Sequence, residues 1–335
     1  MTGRLPPLFA CPLTDLEYDP RRWCRASAFP SHAGNRRSSG WPTEAHKDMF
    51  IGPQHTLTLR GNFQKLLFLY TQEGEATPGY DFVPYKFGAF SFTSYADKRK
   101  LIEGGLLAED DQNWKLTEAG RTAARRPAVE PLRVAGFCRR HSRLRGNALI
   151  VEQYRRHPYY ATRSEILDKL GLEPEALAAI AAARPKRQPA GIVTIGYEGR
   201  SLESYLNALL RAAVTVLCDV RRNPLSRKYG FSKGTLSKAC EGVGIRYEHL
   251  PELGIASEQR RELHTQADFD ALFAEYERES LPQRGAALET IRAWVATGER
   301  VALTCFERLP QQCHRHCVAE ALERMGGGKF TAQHL

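Results

Sequence analysis

The sequence lacks any long apolar run, which excludes an integral membrane protein. The chain has 335 residues and is 42% hydrophobic. Apolar pieces such as Leu66–Leu69 and Val216–Cys218 are far shorter than the roughly 18 residues of a membrane span. The N-terminus also lacks an apolar segment followed by a small-residue cleavage site, which is the pattern of a secretory signal. We therefore expect a cytoplasmic protein without a membrane partner.

Two further shortages concern disulfides and acidic residues. The eight cysteines lack the spacing of a compact disulfide framework, although Cys305, Cys313 and Cys317 crowd into one stretch. Asp and Glu number 38 against 48 Lys and Arg, which leaves a net charge of +10. An excess of Lys and Arg favours a polyanionic partner, because these cations release counterions from phosphates.

Residues 1–48 lack a helical or strand period and are rich in proline. Such a segment buries too little apolar surface to offset its ordering entropy. We therefore expect it to be disordered, or mis-assigned to the protein with Met49 as the true start.

Residues 58–183 predict a basic winged-helix-like domain with a helical extension. A helical face begins at Asn62, and Tyr80–Gly88 is interpreted as an aromatic connector. A second helix follows over 91–103, and two short strands lie around a turn within 105–116. In a winged helix-turn-helix, the second helix enters a DNA groove and the hairpin touches the backbone. A small α/β adaptor with a solvated basic helix is the alternative.

Cations interleave with aromatic residues in this domain. Arginine offers fork-shaped donors that suit phosphate, and aromatic rings stack on bases. A solvated surface above ordinary core tyrosines is the alternative. The predicted nucleic-acid-binding residues are Lys98, Arg99, Lys100, Arg155 and Arg156.

The pattern changes after a polar linker at 184–190. Residues 191–325 alternate apolar strands with helices, which predicts an α/β domain with a Rossmann-like, mostly parallel sheet. Residues 326–335 begin with three glycines and are expected to be a flexible tail. The predicted strands of residues 191–325 are 192–196, 214–220, 245–250 and 301–306.

In the preceding domain, a helix is expected at Ser164–Leu170.

Polar residues gather where these strands end, the usual position of function in such a sheet. Cations suit an anion, carboxylates suit proton transfer, and Cys305 is a candidate nucleophile. The alternative is that the arginines are permanently paired with carboxylates. The predicted catalytic residues are Glu198, Asp219, Cys305 and Glu307. The predicted ligand-binding residues are Tyr197, Arg200, Arg221, Asn223, Ser226, His249, Glu252, Cys313, His314 and Arg315.

Four motifs in this half resemble a known family. They are Thr194–Arg200, Asp219–Pro224 with the serines and glycine that follow, His249–Gly254, and Cys305–Glu307 leading to Cys313–Arg315. Together they resemble the bacterial domain-of-unknown-function family 488. The resemblance implies a compact Rossmann-like α/β domain and brings no settled reaction. The N-terminal half resembles the front part of two-domain members, with Phe82–Tyr85 as the weaker marker.

Residue spacing argues against three more specific kinds of site: a cysteine phosphatase, a zinc site and a dinucleotide site. A cysteine phosphatase needs an arginine six residues after its cysteine, but Cys317 has Glu323 there. Adjacent zinc ligands at Cys313 and His314 are expected to point apart, and the spacing fits no common zinc pattern. The first strand is not followed by G-x-G-x-x-G, so NAD is not expected. We therefore expect neither a metal nor a cofactor.

These observations predict a nucleic-acid-associated protein. The first domain would hold DNA, and the second would bind or process a phosphate-bearing group. The alternative is a transcriptional regulator whose crevice binds a small anionic ligand without turnover and shifts DNA affinity.

Overall fold

A computed structural model describes residues 59–74, 79–109, 114–124, 131–141, 143–260, 263–327 and 330–335. The expectations for residues 1–48 and Met49 fall outside these ranges. The chain divides into two compact units between Ala183 and Arg184, beside the linker predicted at 184–190. Within the described ranges, no helix has the length and apolar character needed to cross a membrane.

Short helices and two antiparallel hairpins build the N-terminal unit. Strand β1 pairs with β2, and β3 pairs with β4. The helix expected at 164–170 is only a 3-10 turn at Leu167–Lys169. In chain order the elements are α1 (Leu59–Gly74), β1 (Val83–Tyr85), β2 (Gly88–Phe90), α2 (Phe92–Glu103), β3 (Leu107–Glu109), β4 (Trp114–Leu116), α3 (Glu118–Ala124), α4 (Pro131–His141), α5 (Gly146–Arg156) and α6 (Pro174–Ala182).

The interpretation of Tyr80–Gly88 as a connector is wrong, because most of the first hairpin lies there. Gly88 permits the turn: its φ is 94°, and a Cβ on it would lie 2.6 Å from the Tyr154 ring. The second helix begins where expected, after Ser91. The Ser91 hydroxyl caps α2 by accepting a hydrogen bond from the Ser94 N–H at 3.3 Å.

Side chains of α1 fill the core of this unit. Phe68 is fully buried and meets the rings of Phe82 and Tyr160 edge to face, with centroids 5.1 and 4.6 Å apart. Lys65 is also buried, with 5% of its surface exposed. Its Nζ donates to the Ala89 carbonyl at 3.3 Å. The same helix therefore brings an apolar side and one amine into the interior.

The C-terminal unit alternates strands and helices, as predicted. A π-helical turn and a 3-10 turn join the helix Gln266–Glu275 to the helix Gly285–Ala296. In chain order the elements are β5 (Gly191–Gly196), α7 (Leu202–Arg211), β6 (Val216–Asp219), α8 (Lys233–Gly242), β7 (Arg246–His249), α9 (Gln266–Glu275), α10 (Gly285–Ala296), β8 (Arg300–Cys305), α11 (Arg315–Met325) and β9 (Gln333–His334).

One sheet of five parallel strands organises this unit, in the order β7-β6-β8-β5-β9. The predicted parallel α/β sheet is confirmed. The order is not the usual Rossmann order, in which the first two strands are neighbours, because β8 separates β5 from β6. The carboxyl ends of β6, β8 and β5 therefore lie side by side at one edge.

Burial explains why these segments form strands and helices. Strand β5 is buried along its whole length, and β8 along all but its first residue. Continuous apolar strands are typical of parallel sheets with both faces covered. Helix α7 buries Leu202, Tyr205, Leu206 and Leu209, which share one helical face.

The expectation of a flexible tail is wrong for residues 330–335. Strand β9 pairs with β5, and Thr194 Oγ1 lies 2.7 Å from His334 Nδ1. Phe330 packs against the core of the unit. The glycines predicted fraying, but Phe330 provides an apolar anchor beyond them.

Candidate functional site

The loops after β5 and β8 pack closely at the carboxyl edge of the sheet. A Cβ on Gly196 would lie 1.8 Å from the carbonyl oxygen of Glu307, so the contact requires glycine. The Arg308 N–H donates to Glu198 Oε2 at 2.9 Å. The carboxylate of Glu198, predicted as catalytic, therefore ties one loop to the other.

Asp219 and Arg221, predicted as catalytic and ligand-binding residues, form a buried ion pair. Arg221 Nε and Nη2 donate to the two Asp219 oxygens at 2.8 and 2.5 Å. Arg221 Nη1 donates to the Tyr197 hydroxyl and to the Phe231 carbonyl, both at 2.9 Å. The ring of Tyr197 stacks on Phe231 at 4.3 Å. This guanidinium is used inside the fold, as the paired-arginine alternative expects.

Strand β7 adds two side chains to this network. The Tyr247 hydroxyl donates to Asp219 Oδ2 at 2.7 Å. His249 Nε2 donates to the Arg221 carbonyl at 2.9 Å, and its Nδ1 lies 3.2 Å from Lys233 Nζ. Burial raises the pKa of Tyr247, and the Asp219 charge acts in the same direction, so the hydroxyl remains a donor. The sequence reasoning missed Tyr247. It lies two residues before the predicted His249, and side chains two apart on a strand share a face.

Asn223 and Ser226, predicted as ligand contacts, hold the loop after β6. Asn223 Oδ1 accepts from the Leu225 N–H at 3.3 Å. Ser226 Oγ accepts from the Lys228 N–H at 3.1 Å, and the Ser226 N–H donates to Ser232 Oγ at 3.0 Å. Such local contacts are typical of Asx and serine turns.

Arg315 supports the loop after β8 from within. Its surface is 1% exposed, and its Nη1 and Nη2 donate to the carbonyls of Glu307 and Arg308 at 2.6 and 3.0 Å. Its Nε is buried without a hydrogen-bond partner in the part of the chain that is described. The Glu307 carboxylate pairs with Arg260. Sequence reasoning missed Arg260, which lies at the end of the 3-10 turn Ser257–Arg260, because no local pattern marks it.

Cys305, Cys313 and His314 form a buried cluster below that loop, with exposures of 0%, 1% and 2%. One donor atom of each lies within 4.8 Å of the other two, and Cys305 Sγ is 3.9 Å from His314 Nδ1. His314 Nε2 donates to the Val220 carbonyl at 3.0 Å. The expectation that residues 313 and 314 point apart is wrong. The reason is that Cys313 is extended, with φ −144° and ψ 126°, and α11 begins only at Arg315, so the two side chains are not arranged as on a helix.

The two thiols of this cluster have different acidities. A hydrogen bond from the Cys313 thiol lowers the pKa of Cys305 to about 7, against the effect of burial. The charges of Arg260 and Arg315 act in the same direction as that bond. Burial raises the pKa of Cys313. Cys305 is therefore the more acidic of the two thiols.

Two predicted ligand-binding residues lie outside these networks. Arg200 is half-buried in the loop after β5. Glu252 is half-buried in the 3-10 turn Pro251–Leu253, which follows β7.

Four of the five predicted nucleic-acid-binding cations pair with carboxylates of their own unit. Lys98 is 9% exposed, because its Nζ lies 3.1 Å from Glu109 and over the Trp114 ring. The basic-helix interpretation expects Lys98 on an exposed face of α2. Lys98 is buried instead. The other pairs are Lys100 with Asp97, Arg155 with Glu173, and Arg156 with Glu73 and Glu152.

Comparison with known proteins identifies only the C-terminal half. Neither the curated proteins nor the solved structures contain a match to this chain. Residues 201–322 match the family described as "Domain of unknown function DUF488". This range includes the buried ion pair of Asp219 and Arg221 and the cluster around Cys305. The resemblance that the motifs indicate is thereby confirmed, and the segment 201–322 of this chain is a DUF488 domain.

Proposed function

We propose that the protein associates with nucleic acid and binds its phosphates at the carboxyl edge of the C-terminal sheet. The observation that carries this proposal is a group of exposed arginines on the loops after β6 and β8. Arg222 and Arg227 follow β6, and Arg308 follows β8. Among the residues described, none of these three forms an ion pair, so their charges are available to an external anion.

Exposed apolar side chains accompany these cations. Four of the six large hydrophobic residues that are exposed in the described ranges lie in the same two loops: Leu225, Tyr229, Phe306 and Leu309. Aromatic rings beside arginines suit unpaired bases, because bases stack on the rings while phosphates meet the cations. An exposed apolar group rimmed by charge is also typical of an interaction surface.

The inner arginines have a different part in this proposal. Arg221 and Arg315 hold the two loops through internal hydrogen bonds, and the outer arginines meet the ligand. In this proposal Arg221 and Arg315, although predicted as ligand-binding residues, position the loops.

The N-terminal unit is proposed as a second, winged-helix-like contact with duplex DNA. The order of α2, the β3–β4 hairpin and α3 supports this interpretation. The ion pairs at Lys98, Lys100, Arg155 and Arg156 reduce the charge that these residues offer to phosphates. We therefore assign the main electrostatic contact to the C-terminal edge.

A salt titration of oligonucleotide binding tests the proposal. The full chain should bind a labelled single strand, and the triple variant Arg222→Ala/Arg227→Ala/Arg308→Ala should bind at least about tenfold more weakly. Its slope of log affinity against log salt should be smaller by about 2 to 3, as expected when three phosphate contacts are lost.

A matched control removes the same charge elsewhere in the unit. Lys238, Arg278 and Arg292 are exposed and lie on helical segments, away from the loops after β6 and β8. Their triple alanine variant should retain the slope and most of the affinity. Equal losses in the two triple variants, or no binding by the unmodified chain, would refute the proposed surface.

A further inference from the structure

Cys305, Cys313 and His314 bring three metal-ligating side chains together beneath the proposed binding surface. We propose that these residues bind one zinc ion inside the C-terminal unit. The inference is independent of nucleic-acid binding, because the cluster lies in the interior and the exposed arginines lie outside it.

The spacing of the donor atoms fits a tetrahedral ion. Zinc bonds of about 2.3 Å to sulfur and about 2.0 Å to nitrogen place neighbouring donors about 3.5 to 3.8 Å apart. Cys305 Sγ and His314 Nδ1 are 3.9 Å apart, and all three donors lie within 4.8 Å of one another. Small side-chain rotations therefore suffice to complete the bonds.

The imidazole of His314 is held in the form that a metal requires. A carbonyl oxygen only accepts hydrogen bonds, so the 3.0 Å contact with Val220 places the proton on His314 Nε2. In the neutral imidazole the lone pair is then on Nδ1, 3.9 Å from the sulfur of Cys305. Metal-bound histidines commonly donate their other N–H to a carbonyl in this way.

The charge next to the cluster suits a negatively charged metal site. Arg315 is 1% exposed, and its Nη1 and Nη2 donate to backbone carbonyls rather than to a carboxylate. Within the described ranges it forms no ion pair with an acidic residue, so a positive charge is buried without a counter-charge. A zinc ion bound by two thiolates, an imidazole and a carboxylate carries one negative charge, which compensates this guanidinium.

Glu307 places a carboxylate beside the cluster. Its Oε2 lies 3.4 Å from Cys305 Sγ, and its Oε1 pairs with Arg260. In the proposed site Glu307 Oε2 completes the coordination as the fourth ligand, which requires its side chain to rotate towards the ion. Two sulfurs, one imidazole nitrogen and one carboxylate oxygen form a donor set that binds zinc in preference to magnesium or calcium.

Metal content of the purified full chain tests the proposal. The reduced protein, freed of loosely bound metal, should hold about one zinc per chain by mass spectrometry of the elements. Cys313→Ser and His314→Gln should reduce this to below about one tenth of a zinc per chain. Cys317→Ser is the matched control, since Cys317 is equally buried in the first turn of α11 but is not part of the cluster. It should retain the metal.

Cobalt replacement keeps the proposal testable if the ligand variants do not fold. The unmodified chain with Co²⁺ should show thiolate-to-cobalt charge-transfer absorption and the intense visible bands of a tetrahedral ion. Absence of metal in a chain with all thiols reduced would refute the site. A disulfide between Cys305 and Cys313, or zinc retained by both ligand variants, would refute it as well.

Discussion

The guanidinium of Arg221 and the carboxylate of Asp219 share two hydrogen bonds, at 2.8 and 2.5 Å, although the residues are only two positions apart in the chain. The pair lies at the end of β6, where its side chains are 6% and 0% exposed. Around it the side chains of Tyr197 and Tyr247 complete a hydrogen-bonded network. The carboxyl edge of the sheet is therefore built on an internal ion pair, and ligand contacts are left to the residues outside it.

Breaking this ion pair should make the C-terminal unit less stable. Arg221→Met or Asp219→Asn should each lower its free energy of unfolding by about 3 to 5 kcal/mol, because each change leaves a buried partner unpaired. The double variant should lose less than the sum of the two. Urea unfolding of the full chain measures these losses. Arg222→Met, an exposed neighbour, is the control and should change stability by less than about 0.5 kcal/mol. Single losses as small as that of the control would contradict the network.

Close approach of the loops after β5 and β8 predicts a strong effect of Gly196→Ala. The added methyl would meet the Glu307 carbonyl oxygen at 1.8 Å, a backbone atom that cannot rotate away. The loop after β8 must then shift, which should cost about 2 kcal/mol or more. Gly234→Ala is the control, since a Cβ there has no neighbour within 4 Å. Equal melting temperatures for the two variants would show that the loops are not in contact.

Strand β9 should contribute to stability although three glycines, at positions 326–328, precede it in the sequence. A chain that ends at residue 327 loses the pairing of β9 with β5 and the packing of Phe330. We expect the free energy of unfolding of the C-terminal unit to fall by about 1 to 3 kcal/mol. The single change His334→Ala removes only the contact with Thr194 and should cost about 1 kcal/mol or less. A truncated chain as stable as the full one would show that β9 does not hold the sheet.

The strands and helices of the C-terminal unit could be predicted because their signals are local. Apolar runs such as 192–196 and the helical face of α7 are properties of neighbouring residues. The ion pair of Asp219 with Arg221 was also accessible, since residues two apart in an extended segment share a face. The side chain of Arg221 was nevertheless assigned to a ligand, because the sequence does not show that Tyr197 and Phe231 surround it.

Other features depend on contacts between distant residues and could not be predicted. Arg315 is buried because the carbonyls of Glu307 and Arg308 turn towards it, which requires the loop path. The position of β8 between β5 and β6 is likewise a property of the assembled sheet. The proximity of Cys313 and His314 was missed because adjacent side chains diverge by about 100° on a helix, and the sequence does not show that both residues precede α11.

The buried amine of Lys65 predicts a pH-dependent stability of the N-terminal unit. Burial lowers the pKa of Lys65 from 10.5 to about 7, so folding releases a proton between these two values. Below pH 7 the folded state must hold a buried charge. As the pH rises towards the unfolded pKa, the unfolded state binds more protons than the folded state, and the stability of the folded state increases.

Replacing Lys65 by methionine should remove this penalty. Lys65→Met should raise the free energy of unfolding by about 2 kcal/mol or more near pH 6, and this gain should shrink to near zero by about pH 10. Urea unfolding of the variant and of the unmodified chain across this range gives the difference, in which the titration of other groups cancels. Lys100→Met is the control, because Lys100 is 58% exposed on α2 and should give a nearly flat difference. A gain that is independent of pH would mean that the stabilisation comes from apolar packing alone. A gain that increases with pH would place the charge of Lys65 in a favourable environment and contradict its burial as a neutral amine.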